Sequence, residues 1–536
     1  MKRAFRQSMT WLHTWTGLLV GWVLFFVFLT GTFGYVNAEV DRWMRPEQPM
    51  LSAFPSTIDL AAVAEQRLRA RGKDAELWQI VFPGGRGAAN PSVGWRERPA
   101  GGEKLGPFTR EALDATALPG EKVRETGGGN TLYVMHYALH YLPPLWGNYL
   151  VGICTMFMLV AICTGVVAHK KIFRDFFTFR AAKGQRSWLD GHNLLAVTAL
   201  PFHVMITWSG LVFFLAIYMP VAADTLYPGS GGRERFFAGA YGGARTERDA
   251  TTPAAPLVPL VPLLRQVEDL WSNRALGFVI VDNPGRDNAR VTVYAQDESR
   301  IDRARAFILF DGVTGTLLKS AAGTRTPVGR FNNSLLGLHE GRFAGPILRF
   351  LYVLAGFTGT AMIGTGLVLW STKRKVKLRA TENPHFGIVV VDVLNLGTII
   401  GLPIGIAAYF WANRVLSVEM TGRAAWEVHV MFITWGLTFL YAAVRPLDRA
   451  WIELCWLASA ACALLPLLNA ATTERHLGVT IPAGDWSLAS IDLGMLGAGL
   501  FFAFFARTML RKQISGCAKL SQRAAARSKP AVEAAE

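Results

Sequence analysis

Histidine is the residue type that could do chemistry here. Four of the ten histidines stand at places that repeat along the chain, and imidazole is a general ligand for redox metals. Leu12-His13-Thr14-Trp15-Thr16-Gly17 with Thr30-Gly31 is echoed by Gly191-His192-Asn193-Leu194 with Ser209-Gly210, and the step from histidine to Gly31 or Gly210 is 18 residues both times, since 31 − 13 = 210 − 192. Leu139-His140 and Leu338-His339 each precede an apolar run, and these runs end alike in Thr164-Gly165-Val166-Val167 and Thr365-Gly366-Leu367-Val368. The chain is therefore read as a duplication, with both copies running the same way across a membrane and related by a pseudo-two-fold axis along the membrane normal. A lone interfacial histidine is usually just a hydrogen-bonding residue, but repetition moves His13, His140, His192 and His339 into the ligand class.

Three more histidines belong to the candidate set. His192 and His203 are 11 residues apart, so on a straight helix they differ by about 20° and lie on one face, about 16 Å apart. His169 closes an apolar run on the basic side and competes for that end. His136 lies one turn before His140 and is its rival. His385, His429 and His476 are isolated and read as structural. The symmetric reading pairs His13 with His192 on the cytoplasmic side and His140 with His339 on the external side. His203 is a possible replacement for either external ligand, because Pro143-Pro144 interrupts the chain after His140.

Without CxxCH, a haem could be held only by ligands and packing, which makes it b-type. Zinc fits less well, since the ligands lie on both sides of the bilayer and no HExxH or close Cys/His cluster occurs. Cys154, Cys163, Cys455 and Cys462 lie in apolar runs and Cys517 in the basic tail, so no disulfide framework is expected.

The elements that must position these residues are membrane helices. The chain is 51% hydrophobic over 536 residues, and runs of about 20 apolar residues cross a bilayer. Eight spans are expected, at Trp11–Val36, Tyr149–Ala168, Leu194–Ala222, Ile347–Trp370, Phe386–Trp411, Val428–Val444, Trp451–Leu468 and Leu488–Phe505. The first follows Lys2, Arg3 and Arg6 as a signal peptide would, but its length, His13 and the lack of a small-x-small site favour a retained span. Basic links after the second span (Lys170, Lys171, Arg174, Arg180, Lys183, Arg186) and the fourth (Lys373, Arg374, Lys375, Lys377, Arg379) place those links and both termini in the cytoplasm of a bacterial-type inner membrane. The net charge of +16 is accounted for by such links, and nucleic acid is discounted as a partner.

Two connections of about 100 residues face outward. Gly277–Val281, Val291–Tyr294 and Ala306–Phe310 read as strands leading to a turn at Asp311-Gly312-Val313-Thr314-Gly315, and Leu77–Phe82 reads as a strand before a Gly-rich turn. The fold class is thus a membrane all-α helical bundle of about eight transmembrane helices, the first four duplicated, with two small α+β external domains. The divisions run 1–40 (first helix), 41–135 (first external domain), 136–223 (helices two and three), 224–343 (second external domain), 344–380 (helix four), 381–510 (four further helices) and 511–536 (tail).

The stretch His13–Gly31, the run Ile172-Phe173-Arg174-Asp175-Phe176-Phe177-Thr178-Phe179-Arg180 leading to Trp188-Leu189-Asp190-Gly191-His192-Asn193, and Leu200-Pro201-Phe202-His203-Val204-Met205-Ile206-Thr207 resemble the PepSY-associated transmembrane family, over roughly residues 8–375. The resemblance implies periplasmic PepSY-like domains, two haem b groups held by transmembrane histidines, and a ferrisiderophore-reductase activity, an inner-membrane function of iron homeostasis. Spans five to eight depart from the four-span reductases.

No link is long enough for a flavin or nicotinamide domain and no strand–GxGxxG–helix unit occurs, so electrons are expected from quinol or a separate donor, and the acceptor is expected to be a ferric siderophore or another ferric chelate. Two other classes stay open: a non-enzymatic PepSY protein that binds or regulates peptides or peptidases, and a metal or siderophore transporter using Asp392, Asn395 and Asp492 in the last spans.

Overall fold

The computed structural model describes residues 3–47, 56–84, 91–99, 106–113, 123–169, 172–176, 180, 184–218, 220–229, 232, 235, 252–272, 274–296, 300–321, 327–378 and 385–527. Lys170, Lys171, Lys183 and Arg379 of the basic links, and Phe177-Thr178-Phe179 of the motif between spans two and three, lie outside these residues. Seven helical segments are long and apolar enough to cross a membrane, and an eighth is reached if one bent pair counts as a span. The protein is a multi-pass membrane protein. Two compact units divide it: Met1–Arg124 with Gly128–Ala181 and Asp190–Ile363, and Glu125–Gly127 with Ala182–Leu189 and Gly364–Glu536.

In the first unit, α1 (Arg3–Phe33) runs through a short 3-10 turn into Asn37–Met44. After α2 (Thr57–Arg71) come three strands, β1 (Leu77–Val81), β2 (Ser92–Arg96) and β3 (Phe108–Ala112). The chain returns through α3 (Gly128–Ala138) and the membrane helix α4 (Pro144–Ala168). The second copy begins with α5 (Gln185–Thr198) and α6 (Leu200–Phe213), bent by 68° at their junction. Pro201, in the first turn of α6, has no N–H to continue the ladder, which explains the break. Then follow α7 (Leu260–Leu270), β4 (Leu276–Asp282), β5 (Arg290–Ala295), β6 (Phe307–Asp311), β7 (Leu317–Ala321), α8 (Pro327–Glu340) and the membrane helix α9 (Pro346–Leu378).

The sequence places a separate domain in each long connection, and the structure joins them. All seven strands form one antiparallel sheet in the order β3-β2-β1-β4-β5-β6-β7. β1 pairs with β4 from Leu77↔Asp282 to Val81↔Phe278. Each connection contributes a helix followed by a meander, and the two first strands meet at the centre, where each covers the other's unpaired edge. One apolar core lies beneath: Leu60, Leu68 and Ile80 from the first copy are buried with Leu264, Val293 and Phe310 from the second. The Asp311 turn forms as expected, its carboxylate accepting from the Val313 and Thr314 amides while Gly315 takes a positive φ.

The second unit contains α10 (Phe386–Ile399), α11 (Gly401–Val415), α12 (Arg423–Val444), α13 (Leu447–Ala463), α14 (Leu465–Thr472) and α15 (Trp486–Arg527). Its polar residues are tied together. Lys375 pairs with Asp392 at 2.6 Å, Asn395 donates to the Leu367 carbonyl, and Asn469 joins Arg414 to Asp492. Arg423 and Glu427 are an ion pair with no exposed side-chain surface, completed by Asn413 and by Thr126. Removing one partner of such a pair leaves an uncompensated buried charge and costs about 3–5 kcal/mol. Arg423→Ala should therefore markedly lower the thermal midpoint of the detergent-solubilised protein, while the paired change Arg423→Met with Glu427→Leu should recover most of the loss. Equal midpoints for wild type and Arg423→Ala would show that the pair is not structural.

Candidate functional site

The first histidine pair joins α1 to α5. The rings of His13 and His192 lie 6.2 Å apart, centre to centre. His13 Nδ1 donates to the Ala161 carbonyl at 2.8 Å and His192 Nδ1 to the Met362 carbonyl at 2.9 Å. A carbonyl can only accept, so Nδ1 carries the proton in each ring and Nε2 keeps the lone pair that a metal needs. The bracing carbonyls are themselves repeat mates, because 362 − 161 equals 366 − 165, the offset between the two Thr-Gly motifs. Gly165 leaves room for the His13 ring, since a Cβ there would lie 3.0 Å from Cε1. Gly17, one turn beyond His13, faces open space.

The second pair joins α3 to α8. His136 and His339 have ring centres 6.1 Å apart. His136 Nδ1 donates to the Val27 carbonyl at 2.8 Å, and His339 Nδ1 lies 2.9 Å from Ser209 Oγ with the Ile206 carbonyl also engaged. Val27 and Ile206 are repeat mates by the same offset as His13 and His192, 179 residues. A Cβ on Gly31 would fall 2.4 Å from the His136 ring, and one on Gly210 would fall 3.2 Å from the His339 ring. The glycines of the repeated motif are therefore cradles for histidines carried on other helices. Burial lowers the pKa of His136, and it pushes His339 down to about 3 with the neighbouring His136 adding to the shift. Both rings are held as neutral imidazoles, the ligating form.

His140 does not enter this second site. α3 ends at Ala138, Leu139 and Tyr141 take positive φ, and the His140 ring packs on the Tyr141 ring at 4.2 Å in the turn leading to Pro143-Pro144. The expected His140–His339 pair is replaced by His136–His339, one helical turn back. His203 is also set apart. The 68° bend falls between His192 and His203, so the straight-helix face that would align them does not exist. His203 is fully buried between Phe28 and Phe202, with Gly359 close to its Nε2. The Ala355 and Ala196 carbonyls interact with the ring without well-formed hydrogen bonds. Its repeat mate is Leu24, since 203 − 179 = 24, so no symmetric partner is available. His169 accepts from the Asn193 amide at 3.0 Å. His385 precedes α10, His429 packs edge-on against Trp426, and His476 caps a short helix through the Gly478 amide.

Two imidazoles bound on opposite sides of one metal at about 2 Å each have centres roughly 6 Å apart, the spacing found in both pairs. Among the described residues no His, Cys, Asp or Glu completes a group of three that could hold a metal ion. A two-imidazole site suits a metal that brings its equatorial ligands with it, as porphyrin iron does.

The model of the PepSY-associated TM region matches residues 10–373. The protein belongs to this family. All four paired histidines lie inside the match, as do the Ala161, Met362, Val27 and Ser209 braces, whereas α10 to α15 lie beyond this PepSY-associated region. No curated protein matches the chain.

In this PepSY-associated protein Gly31→Ala should act on the second site alone. The added methyl overlaps the His136 ring, and neither α1 nor α3 can yield without loss of packing. If each pair holds a redox metal, the expected result is an altered or weakened centre at His136–His339 and an unchanged one at His13–His192, read by optical or paramagnetic resonance spectra. Unchanged spectra at both centres would show that the glycine cradle is not needed.

Proposed function

We propose that the protein holds two b-type haems, one at His13–His192 and one at His136–His339, and carries single electrons across the membrane to a ferric chelate on the external side. The reading is supported above all by two pairs of imidazoles with ring centres about 6 Å apart, each taking one ring from either repeat. Bound haem would supply a one-electron iron couple.

The chain's own part is positional. Carbonyls of Ala161, Met362 and Val27 and the hydroxyl of Ser209 hold Nδ1 of each ring and so aim Nε2. Gly31 and Gly210 let the second-site rings approach the membrane helices, and Phe28 packs edge-on against the buried His203 ring. His13 and Gly31 are 18 residues apart on α1, a rise of about 27 Å, so the pairs stand near opposite faces of a bilayer core of about 30 Å. The basic links favour a cytoplasmic position for the His13–His192 level, which suits a quinol or protein donor there and an iron acceptor outside.

The deciding experiment is a reduced-minus-oxidised spectrum with haem quantification on purified full-length protein, followed by oxidation with ferric chelates. The expected outcome is two haems per chain with split b-type bands, reoxidised faster with ferric chelate than in a chelate-free control. Absence of a Soret band from protein expressed with ample haem would remove the reading.

A further inference from the structure

Beside the second histidine pair lies a cleft of about 260 Å³ between the sheet and α8. Its charge is one-sided. Arg300, Arg303, Arg305 and Arg342 line it against Asp302 and Glu340, an excess of two positive charges. Glu340 is shared between Arg303 at 3.2 Å and Arg342 at 2.8 Å, which holds both guanidinium groups at the cleft. Arg305 is spread over the Phe278 ring at 5.1 Å. Arg300 is exposed at the rim. Clustered arginines receive carboxylates or phosphates through paired N–H donors, and the planar fork loses less freedom on binding than lysine would.

The cleft also touches the histidine site. The Arg303 guanidinium lies 5.3 Å from the Phe213 ring centre, and that ring lies 5.2 Å from His339. Glu340 directly follows His339 on α8. An anion seated among the arginines would therefore sit one aromatic ring away from the second pair.

The volume narrows the ligand. A cleft of 260 Å³ falls below the range of about 300–1,000 Å³ usual for drug-sized ligands, so it admits a compact polycarboxylate complex rather than a large macrocyclic chelator. We infer that this cleft binds a small anionic ferric polycarboxylate, its free carboxylates on Arg300, Arg303 and Arg305 and its iron toward Phe213 and His339. The iron in this inference rests on the reductase reading; the binding of the anion does not.

The test uses redox-inert gallium(III) citrate as the probe on full-length protein in nanodiscs, with citrate alone, inorganic phosphate and a neutral gallium trishydroxamate as the other arms. Saturable gallium citrate binding is expected, weakened at least tenfold in Arg300→Gln with Arg305→Gln and severalfold in Arg300→Gln alone, and falling with added salt. Arg300 lies at the exposed rim, so its single variant should fold normally and a thermal melt checks this. The trishydroxamate should bind no better to wild type than to the variants. No saturable gallium citrate binding, equal binding by wild type and both variants, or phosphate matching gallium citrate would overturn the proposal. If gallium citrate binds as expected but ferric citrate leaves reduced protein unoxidised, it is the electron-transfer reading that fails, and the anion site stands.

Discussion

His13→Ala or His192→Ala alone is expected to remove about half of the bound haem and leave the other centre spectrally intact. The two rings lie 6.2 Å apart and would together hold the proposed haem, and among the described residues no third candidate ligand is grouped with them. A single loss leaves an iron with one protein ligand on a site whose remaining histidine is still braced by its carbonyl, so affinity should fall by far more than the tenfold to hundredfold typical of losing an outer-shell partner. Thermal stability should change less, because Ala161 and Met362 keep their carbonyls within helices. Haem quantification and resonance spectra of the two single variants and the double variant provide the measurement. Two full haems in the double variant would remove the pairing and bring His169, held by Asn193, back into consideration.

The second large effect separates His136 from His140. His136→Ala and His339→Ala should each abolish the second centre, and His140→Ala should leave both haems bound. The rings that meet at 6.1 Å belong to His136 and His339, while His140 turns away onto Tyr141 in a left-handed bend. His203→Ala should also keep both haems, since its repeat mate is a leucine, although the space it leaves in a closely packed interior should lower stability by about 2–4 kcal/mol. Loss of the second centre in His140→Ala with retention in His136→Ala would contradict the geometry directly.

Much of this was legible in the residues, and the failures have physical causes. The 18-residue step from His13 to Gly31 and from His192 to Gly210 is long enough to cross the bilayer, and each end of it lies at one of the histidine pairs. The Leu-His dipeptide at His140 and His339 was a misleading register mark. What matches His136 to His339 is the glycine each packs against, a contact between helices that no local pattern displays. Pro201 marks the bend in the sequence, but only the structure shows that it is sharp enough to take His203 off the face of His192. Among the strands, those rich in β-branched, aromatic and other apolar residues (β1, β4, β5, β6) were readable. β2 with its central glycine, β3 with its charges and β7 with four exposed residues were not, because pairing with neighbours rather than propensity makes them strands. The β1–β4 seam joins segments about 200 residues apart, beyond the reach of any local rule.

That seam bears on ancestry. Every paired site takes one imidazole from each copy, and the central ladder takes one strand from each. A chain carrying a single copy would own two half-sites and one bare sheet edge. It could be completed only by a second, identical chain rotated by half a turn, so the duplicated gene encodes as one polypeptide what a homodimer would otherwise have to assemble. Fusion removes the concentration dependence of that assembly and frees the copies to diverge, as Leu24 opposite His203 already records.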